Sequence, residues 1–499
     1  MTRDIFDKER LPPALDEFLR RINPWWESLP GRVLPPYHRW VFPWLLRNLK
    51  QGLAPGVVLR GPRQVGKTTL QEQIIKHLLE NERVEPWRIF RVQFDEIPST
   101  RNLKDPILSI SRWYENRILK KTLNEAAHEG RPAYLFLDEV QNLADWAPQI
   151  KALVDHATVR VMITGSSALR IKAGHDSLAG RVSTIELGPL LLREIIALRF
   201  EQELKGLLEE NGIASLGEPG LWEQLRTFGQ HHQEIRDRAF TALSERGAYP
   251  IAQARSDWAW EQVSEYLNET VIQRAIVHDL RTGDKGRKRD PQLLEEVFRL
   301  ACRYAGQAPG QATMVQQVHQ VLHADVSWQR IRHYLKFLDS TLLIKLISPL
   351  EIRLKKRKGY EKICLCDPGL RSVWLKETVP LVPEALAKMP HLSDLAGHLA
   401  ESVTGYFLAS LPGIEVNHFP QRETEPEVDF VITIGEKRIP LEVKYQSQVD
   451  DHDILGLRAF LEKTVYHATF GIVVTRTDQV KIRDPRIIAM PLSSLLLLK

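Results

Sequence analysis

The chain is poor in cysteine and has no long apolar run. Only three of its 499 residues are cysteine, too few for a disulfide framework, and this scarcity fits a reducing compartment. No stretch approaches the roughly 18 consecutive apolar residues of a membrane-spanning helix. The charged start, MTRDIFDKERLPP, lacks the apolar segment of a signal peptide. We therefore expect a cytoplasmic protein with no membrane partner.

The excess of charge is also small. The formal net charge is +5, with 43% hydrophobic and 26% charged residues, which is ordinary for a globular protein. Such an excess permits a nucleic-acid partner without requiring one. The length suits about three domains of ordinary size. Cys364 and Cys366 alternate along an apparent strand and are expected in the core.

A phosphate-binding loop follows the short apolar run VVL. It has the pattern G-x-x-x-x-G-K-T, and the stretch after it, QEQIIKHLLE, is typical of a helix. Such a loop between a strand and a helix turns its N–H groups toward phosphates. Lys67 is expected to reach the β- and γ-phosphates, and the Thr68 hydroxyl to bind Mg²⁺. The predicted ATP-binding residues here are Gly61, Pro62, Arg63, Gln64, Val65, Gly66, Lys67, Thr68 and Thr69.

Two further strand patterns support the ATP site. The run AYLFLDEV ends in Asp138, expected to bind Mg²⁺, and Glu139, expected to act as general base toward the attacking water. The run VRVMITGSS would end beside this acidic pair in a parallel sheet, so Thr164, Ser166 and Ser167 are candidates to sense the γ-phosphate. The alternatives are an ordinary strand with an acidic helix cap, and a hydroxyl-rich turn.

The stretches GPRQVGKTTL, LFLDEVQNL, ITGSSALR and SLAGRVSTIELGPLLLREI resemble the AAA+ branch of the P-loop ATPases. More narrowly, they are similar to a bacterial and archaeal family that joins such an ATPase to a C-terminal domain of unknown function. The resemblance is strong over residues 55–200 and weaker from Gly247 onward. It implies a homo-oligomer with ATP between subunits, where Arg181 of a neighbour would stabilise charge on the γ-phosphate. The alternative is a structural arginine that caps a helix.

The middle of the chain has three helical patterns followed by two strand-like runs about a basic turn. This is the order of a winged helix, and the family resemblance implies one here. Ser327 would cap the third helix, which buries an apolar face. Its polar face and the basic turn would contact DNA phosphates. The predicted DNA-binding residues are Arg330, Arg332, Lys336, Lys355, Lys356, Arg357 and Lys358. Protein contacts, or a merely solvated turn, are the alternatives.

Near the end, the runs VDFVITI and IPLEVKY flank the turn GEKR. A loop of even length would place Asp429 opposite Lys444 and Val431 opposite Glu442, with both carboxylates and the lysine on one face. Carboxylates bind Mg²⁺, and the lysine can orient a water for phosphodiester hydrolysis. The pattern is similar to the PD-(D/E)XK nuclease superfamily, in which a preceding helix often supplies a further acid, here Glu401. The run GIVVT would be a later central strand. A structural ion-pair cluster is the alternative.

We therefore predict an α/β protein with a P-loop AAA+ core, a winged-helix middle and a restriction-endonuclease-like C-terminal domain. It would hydrolyse ATP with Mg²⁺ and act on DNA as an oligomer, the nuclease activity being left open. The alternatives are a DNA-binding motor or clamp with an inactive nuclease fold, and a nucleotide-switched signalling scaffold without DNA. The predicted parts are an N-terminal helical segment (1–50), the ATPase (51–200), a helical spacer (201–245), the winged-helix domain (246–380) and the nuclease-like domain (381–499). The predicted catalytic residues are Glu139, Arg181, Glu401, Asp429, Glu442 and Lys444, and the metal ligands are Thr68, Asp138, Asp429 and Glu442.

Overall fold

A computed structural model of the chain describes residues 11–97, 103–143, 145–165, 178–208, 212–279, 290–351, 359–421 and 426–499. Ser166, Ser167 and the predicted basic turn, Lys355 to Lys358, lie outside the described residues. The chain divides into two compact units, Met1–Leu187 and Gly188–Lys499. Within the described residues, no helix combines the length and the apolar character needed to cross a membrane.

The first unit alternates helices and strands. Its helices are α1 (Pro13–Arg21), α2 (Phe42–Gln51), α3 (Lys67–Glu80), α4 (Pro106–Tyr114), α5 (Leu123–His128) and α6 (Trp146–His156). Its strands are β1 (Gly56–Arg60), β2 (Ile89–Gln93), β3 (Tyr134–Asp138), β4 (Arg160–Gly165) and β5 (Val182–Glu186).

These five strands form one parallel sheet in the order β2-β3-β4-β1-β5. β3 is buried along its whole length and β1 and β2 almost so, as parallel strands covered by helices on both faces are. All five carboxyl ends meet at one edge of the sheet. The loop after β1, the last residue of β3, Asp138, and the last residue of β4, Gly165, therefore lie together. The predicted strand–loop–helix order and the predicted neighbourhood of β3 and β4 are both confirmed.

The second unit combines a helical part with two sheets. Its helices are α7 (Leu192–Phe200), α8 (Pro219–His231), α9 (Gln233–Arg246), α10 (Pro250–Ala254), α11 (Trp260–Leu267), α12 (Pro291–Arg303), α13 (Gln311–Leu322), α14 (Trp328–Ser340), α15 (Pro368–Leu375), α16 (Pro383–Lys388), α17 (Ser393–Ala409), α18 (Leu455–Glu462) and α19 (Leu492–Leu495). Its strands are β6 (Ile344–Ile347), β7 (Lys362–Leu365), β8 (Glu415–Phe419), β9 (Val428–Ile434), β10 (Lys437–Lys444), β11 (Gly471–Thr475) and β12 (Ile487–Pro491).

Three packed helices, α12 to α14, precede the two-stranded antiparallel sheet β6–β7. The helix–helix–helix–hairpin order of the sequence prediction is present, while the winged-helix assignment stays a prediction. Ile331, Leu335 and Leu338 of α14 are buried, as predicted. Ser327 stands at the N-cap of α14, although its side chain makes no capping hydrogen bond. The predicted spacer 201–245 contains α8 and most of α9, and α8 packs against β12 and α19.

The C-terminal sheet has the order β12-β11-β10-β9-β8. β8, β9 and β10 are antiparallel neighbours, whereas β10, β11 and β12 are parallel. The run GIVVT is β11, and it lies inside the sheet between β10 and β12 as the sequence predicts. Residues Cys364 and Cys366, expected in the core, are buried free thiols.

The predicted register of the β9–β10 hairpin is wrong by two residues. Ile434 pairs with Lys437 and Phe430 with Leu441. Continued by one residue, this register places Asp429 opposite Glu442 rather than Lys444. Val431 likewise pairs with Pro440 instead of Glu442. The loop is shorter than GEKR, because Lys437 and Arg438 already belong to β10. Gly435, with a φ of 59°, supplies the positive φ that a tight hairpin loop needs. A shift of two residues keeps every side chain on its face, so the predicted cluster survives.

Candidate functional site

The loop between β1 and α3 is shaped to receive phosphates. Gly66 has a φ of 91°, and a Cβ there would meet no heavy atom within 4 Å. Gln64 is also left-handed, with a φ of 64°. Lys67 is only 5% exposed, and its ammonium donates to the carbonyl oxygens of Gly61 at 3.0 Å and Pro62 at 2.8 Å. The loop thus holds a buried cation beside the backbone that would cradle an anion.

Two hydroxyl groups hold the carboxylate of Asp138. Thr68 Oγ1 donates to Asp138 Oδ2 at 2.9 Å, and Thr164 Oγ1 donates to the other carboxylate oxygen. Asp138 is 1% exposed, and burial raises its pKa against the opposing effect of these hydrogen bonds and of Arg91. The guanidinium of Arg91 lies 3.8 Å from Asp138 Oδ2. The result is a dry, oxygen-rich position next to the loop, which suits a hard cation such as Mg²⁺.

Glu139 follows Asp138 directly and has a strained backbone conformation. Its φ is 53°, a value that a non-glycine residue rarely adopts. Its side chain lies 4.0 Å from the Lys67 ammonium and accepts a hydrogen bond from Gln141, while its N–H donates to Thr164 Oγ1 at 3.4 Å. The turn after β3 therefore directs a carboxylate toward the phosphate-binding lysine.

The segment before β1 also contacts the loop, which the sequence analysis missed. Arg39 is buried and donates to the carbonyl oxygen of Val65 at 2.6 Å. Arg32 donates to Thr69 Oγ1 at 3.2 Å, and Gln73 of α3 donates to the carbonyl oxygen of Pro35 at 2.9 Å. No local pattern marks these residues. Arg91, by contrast, interrupts the apolar run IFRVQF, and that interruption could have indicated a buried acidic partner.

Arg181 lies where the parallel strands begin, whereas the phosphate-binding loop lies where they end. Its carbonyl oxygen accepts from the N–H of Gly56, the first residue of β1, at 3.0 Å, whereas the loop follows the last residue of β1. The five-residue β1 spans about 16 Å. The Arg181 guanidinium forms a two-pronged ion pair with Asp155, at 2.6 and 3.0 Å. Arg181 therefore cannot complete the site of its own subunit, and its role at a neighbour's site stays a prediction.

The predicted DNA-binding side chains of α14 lie outside its buried apolar face. Arg330, Arg332 and Lys336 are all exposed. Arg330 forms an ion pair with Asp290 at 3.1 Å, and Arg332 forms one with Glu361 at 3.2 Å. Both guanidinium groups are close to half exposed, where such pairs contribute little and exchange readily.

The C-terminal unit brings the predicted nuclease residues together. Asp429 Oδ2 accepts from the N–H of Val443 at 2.9 Å, and the N–H of Asp429 donates to Glu442 Oε2 at 3.4 Å. Lys444 Nζ lies 2.9 Å from Glu442 Oε1. Burial and the charge of Asp429 raise the pKa of Glu442 to about 8. The two carboxylates and Lys444 thus share one face of the β9–β10 hairpin.

A second lysine, which the sequence analysis missed, enters this cluster from β7. Lys362 Nζ lies 2.9 Å from Asp429 Oδ1, 3.2 Å from Glu401 Oε2 and 3.9 Å from Glu427 Oε1. The side chain is 2% exposed. Burial opposes its charge, but the three carboxylates outweigh that effect and raise the pKa of Lys362. The sequence does indicate that Lys362 is buried. It lies two residues before Cys364 in a strand pattern, so its side chain shares the buried face of Cys364 and Cys366.

The acidic cluster of the C-terminal unit does not form a ready metal cage. Across the described residues, no group of three or more His, Cys, Asp or Glu side chains is arranged to hold a metal ion. Glu401 and Asp429 both point their carboxylate oxygens at the Lys362 ammonium instead. The metal ligands predicted for this domain therefore do not fit a resident Mg²⁺ in this arrangement.

The first match to a known protein family covers most of the first unit, which contains the phosphate-binding loop. Residues 54–196 match the model described as "AAA domain". Together with the parallel sheet, this match supports an ATPase of the AAA type. Residues 237–379 match the domain of unknown function DUF8612, and residues 396–495 match the domain of unknown function DUF4143. A C-terminal domain of unknown function joined to the ATPase agrees with the sequence prediction, whereas a winged-helix or nuclease character of these segments stays a prediction.

Curated relatives are similar over part of the chain. An uncharacterized protein of Methanocaldococcus jannaschii is 24% identical over 49% of this chain and 47% of its own length. Uncharacterized proteins of Mycobacterium bovis and Mycobacterium tuberculosis are each 32% identical over 28% of this chain and 27% of theirs. The chain therefore matches less than half the length of these relatives.

Two solved structures are similar at a low level. The Walker-type ATPase of Pyrococcus abyssi is 14% identical, with a TM-score of 0.35 over 67% of this chain and 94% of that one. The Aeropyrum pernix ORC1 protein, solved in complex with DNA, is 12% identical, with a TM-score of 0.25 over 77% of this chain and 97% of that one.

Proposed function

We propose that this protein hydrolyses ATP at the loop between β1 and α3. The observation that carries the proposal is the 2.9 Å hydrogen bond between the Thr68 hydroxyl and the Asp138 carboxylate. It joins the start of the loop helix to the end of β3 and sets two hard oxygen ligands side by side. Mg²⁺ held there would supply positive charge opposite the phosphate oxygens.

Lys67 would bind the phosphates directly. Its ammonium now donates to two loop carbonyl oxygens, and the ATP phosphates would take over that contact because an anion is the stronger acceptor. Its burial strengthens the interaction, since few waters compete for the charge. Arg91, held near Asp138, would keep the neighbouring carboxylate oriented without touching the nucleotide.

Glu139 would act as the general base. Its carboxylate lies 4.0 Å from the Lys67 ammonium, so a lysine that engages phosphate leaves this carboxylate beside the γ-phosphate. Gln141 and the strained turn fix its direction, which reduces the reorganisation needed to align a water. The proton of that water would pass to the Glu139 carboxylate as the water attacks.

The test is the Glu139→Gln variant, which keeps the shape of the side chain and removes its basicity. We expect ATP binding to persist and steady-state hydrolysis to fall at least about 100-fold. Glu80→Gln, at the exposed end of α3, is the matched control and should hydrolyse ATP as the parent does. Normal turnover by Glu139→Gln would refute the assigned role.

We extend the proposal to an oligomer that works on DNA. Arg181 is compatible with the oligomer, because its guanidinium lies far from the loop of its own subunit and is partly exposed, where a neighbouring subunit can reach it. The exposed basic face of α14 supports DNA as a partner. The rival is a nucleotide-switched scaffold without DNA, which would lack salt-dependent DNA binding.

For the C-terminal domain, the sequence leaves a metal-dependent nuclease and an inactive nuclease-like fold as alternatives. The ion pairs of Lys362 favour the inactive fold. The domain would then bind or position DNA, or a partner subunit, without cutting.

A further inference from the structure

We infer that Lys362 is the resident cation of the C-terminal acidic cluster and that its ammonium excludes a divalent metal. The cluster consists of Glu401, Glu427, Asp429 and Glu442. Lys362 Nζ contacts an oxygen of Asp429 and one of Glu401, at 2.9 and 3.2 Å. This assignment concerns a different site from the ATP loop and stands whether or not ATP is hydrolysed there.

The position of the ammonium leaves no room for a second cation. Mg²⁺ or Ca²⁺ bound by Asp429 and Glu401 would lie within about 2.6 Å of the same oxygen atoms that Nζ contacts. Two cations that share those oxygens would repel each other strongly in a buried site. Lys362 also lies with its Nζ 5.0 Å from the centre of the Phe430 ring, so its far side is packed against an aromatic face.

The backbone of β7 fixes Lys362 in place. The N–H of Ile363 donates to Gln307 O at 2.9 Å, and its carbonyl oxygen accepts from Gly306 at 2.7 Å. The N–H of Leu365 donates to the Ser402 hydroxyl of α17 at 2.8 Å. The strand that carries the lysine is thus hydrogen-bonded along this edge, and it pairs with β6 along the other edge. The fold therefore fixes the position from which the ammonium enters the cluster.

The close packing of α17 against β7 holds the Glu401 carboxylate next to the Lys362 ammonium. At Gly405, one turn after Glu401, an added Cβ would lie 2.5 Å from Cys364 Sγ and 2.6 Å from the Phe430 ring. Only glycine permits this distance, because both neighbours are buried. The helix face that holds Glu401 is therefore pressed against both β7 and β9.

The other lysine of the cluster is also engaged. Lys444, predicted to orient a catalytic water, instead pairs with Glu442 at 2.9 Å. Each predicted carboxylate ligand therefore already has an ammonium partner within the chain. For Asp429 this pairing is what a structural ion cluster requires, since a buried carboxylate without a counter-charge is strongly destabilising. Glu442, whose raised pKa favours its protonated form, still accepts a hydrogen bond from Lys444.

The experiment measures Mn²⁺ binding to the full chain without nucleotide, by the loss of the free-ion electron paramagnetic resonance signal. The variants are the parent, Asp429→Asn, Lys362→Met, and Lys362→Met combined with Asp429→Asn. Lys345→Met, in the paired strand β6, is the matched control. Binding at the nucleotide loop is common to all of them, so differences report the C-terminal cluster.

We expect the parent, Asp429→Asn and Lys345→Met to bind equal amounts of Mn²⁺. Lys362→Met should gain one Mn²⁺ per chain and lose it again when Asp429→Asn is added. If the parent protein binds a Mn²⁺ ion that the Asp429→Asn variant no longer binds, the inference is wrong. So would a folded Lys362→Met variant that gains no Mn²⁺. If Lys362→Met does not fold, recovery of folding in the double variant supports the assigned counter-charge, and failure to recover contradicts it.

Discussion

Thr68 and Asp138 are 70 residues apart in the sequence and joined by a hydrogen bond of 2.9 Å. The parallel sheet brings them together, because β1 and β3 both end at the same edge with β4 between them. Thr164 at the end of β4 completes the contact from the other side. The start of α3 and the ends of β3 and β4 therefore meet at one carboxylate, next to a buried lysine and a strained glutamate. This convergence is the structural basis for assigning ATP hydrolysis to the first unit.

Arg181 should act only on the ATP bound to another subunit. We expect Arg181→Ala to lower turnover by about 10³-fold or more without weakening ATP binding to an isolated chain. Mixing Arg181→Ala with Glu139→Gln should restore activity, because some interfaces then combine an intact glutamate with an intact arginine. The measurement is steady-state ATP hydrolysis as a function of the mixing ratio.

The control for the mixing experiment is Asp155→Ala, which releases the guanidinium from its partner in the chain. This variant should remain active, since it leaves Arg181 free to reach a neighbour. If mixed subunits stay inactive at every ratio, Arg181 is a structural arginine paired with Asp155, and the shared site is excluded.

The exposed face of α14 should contribute to DNA binding through charge. We expect a double variant, Arg332→Ala with Lys336→Ala, to weaken duplex binding. It should also reduce the slope of log K against log salt by about one for each phosphate that the variant no longer neutralises. Fluorescence anisotropy across a salt series measures this. Lys76→Ala, an exposed lysine on α3, is the control. If the double variant binds DNA with the same slope of log K against log salt as the parent, α14 does not contact DNA.

The free energy of unfolding should carry a pH dependence from Glu442. Its pKa is raised from 4.5 to about 8 in the folded chain by burial and by Asp429, while Lys444 and Lys362 oppose the rise. The folded state therefore holds a proton that the unfolded state releases, and stability falls as pH rises from about 4.5 to about 8. Glu442→Gln cannot titrate and should lack this fall. Denaturant titrations from about pH 5 to about pH 9 compare the two profiles; parallel profiles would contradict the shift.

The sequence predicts the strands and the loop around the proposed ATP site well, because their signals are local. The glycine-rich loop, the acidic end of β3 and the hydroxyl-rich end of β4 each lie within a few residues of a strand pattern. Adjacent parallel strands then place them together by a general rule. The helices and strands of the middle region were also predictable, since the apolar spacing of α14 repeats at helical period.

The pairings within the C-terminal cluster could not be predicted from the same signals. Lys362 meets Asp429 across 67 residues, and nothing near either residue specifies the pairing. The predicted hairpin register was wrong for a different reason. Whether Lys437 belongs to the loop or to the strand depends on β-propensity, a scale that spans only about 1 kcal/mol and varies with context. The ion pair between Arg181 and Asp155 joins the residue just before β5 to α6, and this too follows from the tertiary packing alone.

The most direct test of the account is ATP turnover by Lys67→Ala, measured beside Lys76→Ala as the control. Both variants remove one lysine from α3, the first buried in the phosphate loop and the second exposed. The account predicts no detectable ATP hydrolysis by Lys67→Ala and parental hydrolysis by Lys76→Ala. Parental hydrolysis by Lys67→Ala would contradict the assignment of the ATP site.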